Sequence, residues 1–192
     1  MIDVLSHLAT AFGLSSASGL NAYIPLLVVA LTARFTQLIK LNPPFDLLAN
    51  EWVIGALVVL LAIEVVVDKI PAADTINDVI QTLVRPAAGA ILFAASTRAI
   101  DLNPVLAIIL GLILAFGVHA TKAAARPVVT ATTGGLGNAF VSVGEDVAAT
   151  GISLLAIIVP MVIGVLLALF LLWLLWRAFR PAPPDTHHPS RK

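Results

Sequence analysis

The run of apolar residues along the chain predicts helices long enough to cross a lipid bilayer. Segment one, Val4 to Arg34, has a first part from Val4 to Leu14 and a second from Leu20 to Ala33, with Gly13-Leu-Ser-Ser-Ala-Ser-Gly19 between. Small residues of this kind let membrane helices approach closely, or they mark an unwound break that lines a cavity. Both readings fit the sequence. Pro25 predicts a kink. Arg34 to Glu51 reads as a loop, marked by Asn42-Pro43-Pro44. Segment two starts at Trp52, suited to a membrane interface, and stays wholly apolar to Ile63. It then passes through Glu64, three valines, Asp68 and Lys69 to end near Pro71.

Asp74 to Arg85 has helical spacing and polar character, which predicts an interfacial helix. Pro86 is suited to a helix first turn, so segment three is expected from Pro86 to about Ile100. Asp101-Leu-Asn-Pro104 makes a turn, and segment four runs from Pro104 to about Ala125, closed by Arg126-Pro127. Val128 to Gly151 is rich in Thr, Gly, Ser and Ala, and includes Thr132-Thr-Gly-Gly-Leu-Gly-Asn138. Segment five, Gly151 to Trp176, is the clearest span, with 26 residues and no charge; Pro160 predicts a kink within it. The expected fold is therefore all-α, a polytopic transmembrane bundle of about five spans with broken or re-entrant polar segments. Residues 1–178 form the membrane domain, and the proline-rich 179–192 is a disordered tail.

Composition agrees. Hydrophobic residues make up 59% of the chain and charged ones 11%, too few to cover a soluble domain, which is roughly 25% charged. Net charge is zero and there are no cysteines. Nucleic acid is thereby disfavoured as a partner, and thiolate chemistry is excluded.

Charge placement supplies the functional signal. Arg177, Arg180, Arg191 and Lys192 in the tail put the C-terminus in the cytoplasm by the positive-inside rule, and five spans then put the N-terminus outside. Arg34, Lys40 and Arg98 fall inside as well, against Lys69, Arg85, Lys122 and Arg126 outside. The outer half receives Glu64, Asp68, Asp74, Asp78, His119, Lys122, Arg126, Glu145 and Asp146. Glu64 and Asp68 share a helix face, as do His119, Lys122 and Arg126, so an acidic and a basic face at one depth are expected to pair. Ionisable groups within spans are costly and usually face the protein interior or water. Charges at helix ends also snorkel, and that reading weighs equally for Lys69, Arg85 and Arg126, each beside a proline boundary. Asp74 and Asp78 fit the polar face of the interfacial helix, and Glu145-Asp146 fits an acidic pair at a helix start. Glu64, flanked by apolar residues on both sides, resists such readings.

A weak echo joins Gly19-Leu-Asn-Ala-Tyr23 to Leu136-Gly-Asn-Ala-Phe140, and Val84-Arg85-Pro86 to Ala125-Arg126-Pro127. Internal repeats are common in transporters. The echo adds Asn21 and Asn138 to the candidate site. Glu64, Asp68, His119, Glu145 and Asp146 offer oxygen and imidazole ligands to a metal, without any dedicated spacing. Gly134-Gly-Leu-Gly137 lacks the lysine of a phosphate loop, no nucleophile elbow is present, and no cofactor is implied.

On Gly19-Leu-Asn-Ala-Tyr23, Glu64-x-x-x-Asp68-Lys-Ile-Pro71 with Asp74 and Asp78, Arg85-Pro86-x-x-Gly89, His119-x-x-Lys122-x-x-x-Arg126 and Glu145-Asp146, the chain resembles the bacterial membrane family catalogued as domain of unknown function 4126, over roughly residues 5 to 175. The resemblance implies a bacterial inner-membrane location and no substrate. The leading expectation is a small transporter or permease-like protein, with an ion or small charged solute held at the outer-half cluster. So short a chain is expected to work as a homo-oligomer among membrane lipids. The rival is a non-transporting structural protein, or one holding a lipid headgroup. An intramembrane enzyme acting on a lipid ranks last.

Overall fold

A computed structural model of the protein describes residues 2–68 and 71–178. The described residues are all-α, with six helices: α1 (Ile2–Leu20), α2 (Tyr23–Phe35), α3 (Glu51–Val67), α4 (Pro71–Thr97), α5 (Pro104–Thr133) and α6 (Leu136–Ala178). Short 3₁₀ turns at Phe45–Ala49 and Arg98–Ile100 complete the described structure. The expected tail, 179–192, and Lys69 lie outside the described residues.

Five spans are not found. Among the described residues three stretches are long and apolar enough to cross a membrane: Val79–Ile100, Pro104–Thr133 and Leu136–Pro160. They make the chain a multi-pass membrane protein by length and composition. Segment one is not a single span. It breaks at Asn21-Ala22, and α2, only 13 residues long, folds back, so that Val29 lines the same cavity as His7. α3 has 17 residues, about 26 Å at 1.5 Å per residue, short of the roughly 30 Å hydrocarbon core.

Both proline boundaries also fail. Pro86 lies inside α4 and Pro127 inside α5. A proline costs a helix one backbone hydrogen bond, but neighbouring helices can re-satisfy the freed groups, and α4 and α5 pack extensively on each other. The separate interfacial helix of 74–85 is thus the first half of α4. Segment five begins early: α6 starts at Leu136, and its 43 residues reach about 65 Å. Pro25 sits in the first turn of α2, where its missing N–H disturbs nothing.

α1 is the central helix. It packs against α4, α5 and α6, and Ala11, Leu14, Ser15, Ala17 and Ser18 have no solvent exposure. The Ser15 hydroxyl donates to the Gly89 carbonyl at 2.9 Å, and Nδ1 of His7 bonds the Ser96 carbonyl, so α1 runs antiparallel to α4. Thr10 bonds the Ala156 carbonyl and Asn21 bonds Asp146, so α1 also runs antiparallel to α6. The start of α1 therefore lies at the end toward which α6 runs.

The Ser15 to Gly19 stretch remains regular helix, and its small residues serve close packing. At the α4–α5 crossing Gly89 faces Gly111, where an added Cβ would collide with backbone on either side. The other small-residue stretch does leave the helix. Gly134 and Gly135 adopt φ of 62° and 87°, a left-handed conformation glycine takes at no steric cost, and they turn α5 into α6.

Gly111→Val should overpack the α4–α5 crossing and cost about 1–3 kcal/mol, read as a lower melting temperature in detergent. At Gly117 in the same helix, a Cβ would meet nothing within 4 Å. Gly117→Ala should leave stability unchanged or raise it by up to about 1 kcal/mol.

Candidate functional site

The buried polar residues gather at the end of the bundle where α1 breaks, α3 ends, and α4, α5 and α6 cross. Arg85 of α4 is the hub, 1% exposed. Its Nη2 donates to Oε1 of Glu64 at 3.2 Å, and its Nη1 lies 3.2 Å from Nδ1 of His119. Nε2 of His119 lies 3.1 Å from the Thr82 hydroxyl, one turn before Arg85 on α4. Because Nδ1 faces a guanidinium, which can only donate, it must accept, and the imidazole proton then sits on Nε2 toward Thr82. The chain Glu64–Arg85–His119–Thr82 thus links α3, α4 and α5; Glu64, Arg85 and His119 are buried, and Thr82 stands at the exposed edge.

A second group adjoins it between α5 and α6. Nζ of Lys122 meets Oε2 of Glu145 at 2.6 Å, and Nη2 of Arg126 lies 3.7 Å from the same oxygen. Arg126 also donates to the Ser142 hydroxyl at 2.9 Å. Lys122 reaches the Leu20 carbonyl at 3.4 Å, placing a cation at the negative end of the α1 dipole.

Asn21 joins the break to the network. Its Oδ1 accepts from the backbone N–H groups of Tyr23 and Ile24, capping α2, while its Nδ2 donates to Oδ1 of Asp146 at 2.9 Å. Asn21→Asp separates the two roles, since Asp caps as well as Asn but would set a carboxylate against Asp146. The Asp variant should melt lower by about 1–3 kcal/mol, the cost of a buried polar group losing its partner. A melting temperature equal to wild type would reduce Asn21 to a cap.

The expected direct pairing of the acidic with the basic face is not what the side chains make: Lys122 and Arg126 pair with Glu145 instead. Glu64 reaches His119 by way of Arg85, while Asp68 accepts from Asn77 at 3.0 Å. Asp68 and Asp146 stand within electrostatic range of Glu64. Asn138 does not join. It bonds Thr130 and fastens the α5–α6 hairpin, partly exposed. The side chains of Asp74 and Asp78 lie outside the described residues. Arg85, Thr82, Asn77 and Ser142 complete the network, and the charge pattern did not nominate them as site residues. As to the metal reading, no group of three or more His, Asp or Glu is gathered closely enough to hold an ion among the described residues.

Buried atoms without a hydrogen-bond partner among the described residues include Oε2 of Glu64 and Nε of Arg85 in the network, and Oε1 of Gln81 one turn before Arg85 on α4. A buried polar group without a partner is costly. Native structures keep such groups rarely, and each calls for an explanation such as a catalytic role or a bound ion.

A family model matches residues 8–180. The chain belongs to the DUF4126 family. That family is described as a domain of unknown function, and its match covers α2 to α6, most of α1 and the whole network. Neither a curated protein nor a solved structure matches the chain.

Proposed function

We propose that this DUF4126 protein is a small membrane carrier and that the Glu64–Arg85–His119 chain is its exchange site, closed in this conformation. The site would take a proton, an ion or a small charged solute. The observation that carries the reading is the pairing of near-complete burial with incomplete satisfaction. Glu64 and Arg85 are 2% and 1% exposed, yet Glu64 keeps one oxygen, and Arg85 one N–H, without a partner among the described residues. A carboxylate with spare acceptor capacity beside an imidazole is suited to taking up a proton or a cation.

The basic residues sort by end. Arg34, Lys40 and Arg98 stand at the end toward which α6 runs, and Arg85, Lys122 and Arg126 at the other. Under the positive-inside rule the end of α6 and the start of α1 both face the cytoplasm, in a bacterial inner membrane, and the network lies in the outer half. A homo-oligomer remains our expectation for a body of three long apolar helices. The sealed burial of the same residues favours a second reading, a static interhelical brace.

Cysteine accessibility separates the two. The chain has no cysteine of its own, so Ser142→Cys introduces one thiol beside Arg126, at a side chain only 5% exposed. In native vesicles a carrier should let a membrane-impermeant thiol reagent reach it, at a rate that changes when a pH or ion gradient is imposed. A thiol that reacts only after denaturation would favour the brace.

A further inference from the structure

A cavity of about 320 Å³ opens at the other end of the bundle, between the start of α1, the loop at 38–41, the end of α4 and the middle of α6. Its volume is in the lower range of small-molecule sites. Val29, Leu41, Ile157 and Pro160 give it an apolar side; Asp3, Ser6, His7, Thr10, Ser96 and Lys40 give it a polar one.

The hydrogen bonding of those polar residues gives the cavity a definite chemistry. Ser6 donates its hydroxyl proton to the Asp3 carbonyl at 2.8 Å, and Thr10 donates to the Ala156 carbonyl at 2.8 Å. Nδ1 of His7 lies 2.9 Å from the Ser96 carbonyl. A carbonyl only accepts, so Nδ1 carries a proton, and in the neutral imidazole Nε2 presents a lone pair. All three side chains have spent their hydrogens on the main chain. What they retain is acceptor capacity, and the Asp3 carboxylate adds more. Lys40 is the one donor side chain with a full charge on this lining.

We propose that this cavity binds a primary ammonium group carried next to an anionic group, as in a phosphoethanolamine. The ammonium, with three N–H donors, matches the acceptor set of Asp3, Ser6, His7 and Thr10. The anion matches Lys40, and any apolar portion lies along Val29, Leu41 and Ile157. A quaternary ammonium has no N–H to offer and should bind more weakly. The same zwitterion occurs free in water or as a lipid headgroup. The site stands at the opposite end from the charged network and does not depend on its function.

The test uses the full-length protein in detergent and calorimetric titration with four probes: O-phosphoethanolamine, phosphocholine and the two corresponding lysophospholipids. The ethanolamine forms should bind at least about ten-fold more tightly than the choline forms, since charge-assisted hydrogen bonds are at stake. Asp3→Asn, at an exposed position in the first turn of α1, should abolish that preference while the melting temperature stays near wild type. Lys40→Met should weaken ethanolamine and choline forms alike. Binding by the lysolipid alone assigns the site to a headgroup; equal binding by free phosphoethanolamine assigns it to a soluble zwitterion. Equal affinity for ethanolamine and choline, no binding by either ethanolamine probe, or an unchanged preference in Asp3→Asn would overturn the proposal.

Discussion

Arg85→Met should destabilise the protein by about 3–5 kcal/mol, the usual cost of breaking a buried ion pair from one side. Met preserves much of the side-chain volume, so cavity formation contributes little. The loss is electrostatic. Arg85 is the direct partner of Glu64 and also interacts with Asp146. Without it, Glu64 stands buried near Asp68 and Asp146 with its closest cation gone. The double variant Arg85→Met, Glu64→Gln should recover more than half of the loss, because the uncompensated carboxylate goes with its partner. Melting curves of the two single variants, the double variant and wild type measure this directly. If the double variant melts as low as Arg85→Met, the pair is not the source of the effect.

Glu64→Gln should behave differently. It removes one carboxylate from a network that holds others, so Arg85 keeps Asp146 within electrostatic range. We expect about 1.5–3 kcal/mol of destabilisation, the value of one hydrogen bond to a charged group. Function should fall far more steeply. Gln retains the shape and can accept from Arg85, but it neither changes charge nor neutralises a cation. An exchange site that depends on Glu64 should therefore lose essentially all of its ion response in a protein that still folds. A brace predicts the reverse pattern, with stability lost and no transport to lose.

The acidic and basic faces were legible in the sequence because helical spacing alone brings Glu64 over Asp68 and aligns His119, Lys122 and Arg126. The hub was not. Arg85 stands before Pro86, and a proline reads as a helix start, so snorkelling explained the arginine as well as function did. The structure carries α4 straight through Pro86 because α1 and α5 hold it on both sides. A signal was present in the spacing: Gln81, Arg85, Ala88 and Leu92 repeat at four, three and four, and all four are buried. A stripe that continues across a proline argues for one helix.

The internal echo separated into halves. Arg85-Pro86 and Arg126-Pro127 both bring an arginine into the network. Asn21 and Asn138 do unlike things, one capping α2 beside Asp146 and the other pinning a hairpin. The span count failed because hydropathy marks apolar length without direction. A helix that turns back at Asn21 has the same composition as one that continues. The cavity beside His7 was silent in the sequence, since His7, Thr10 and Lys40 meet only through folding.

The central claim is that a closed, buried carboxylate exchanges with the aqueous phases. Purified wild type and Glu64→Gln can be reconstituted into vesicles loaded with a pH-sensitive dye or a sodium-sensitive dye, and a potassium diffusion potential imposed with valinomycin. Wild-type vesicles should show proton or sodium entry well above that of protein-free vesicles, and Glu64→Gln vesicles, with a folded protein verified by melting, should match the protein-free baseline. Wild-type vesicles as tight as protein-free ones, or Glu64→Gln vesicles that conduct like wild type, would contradict the account.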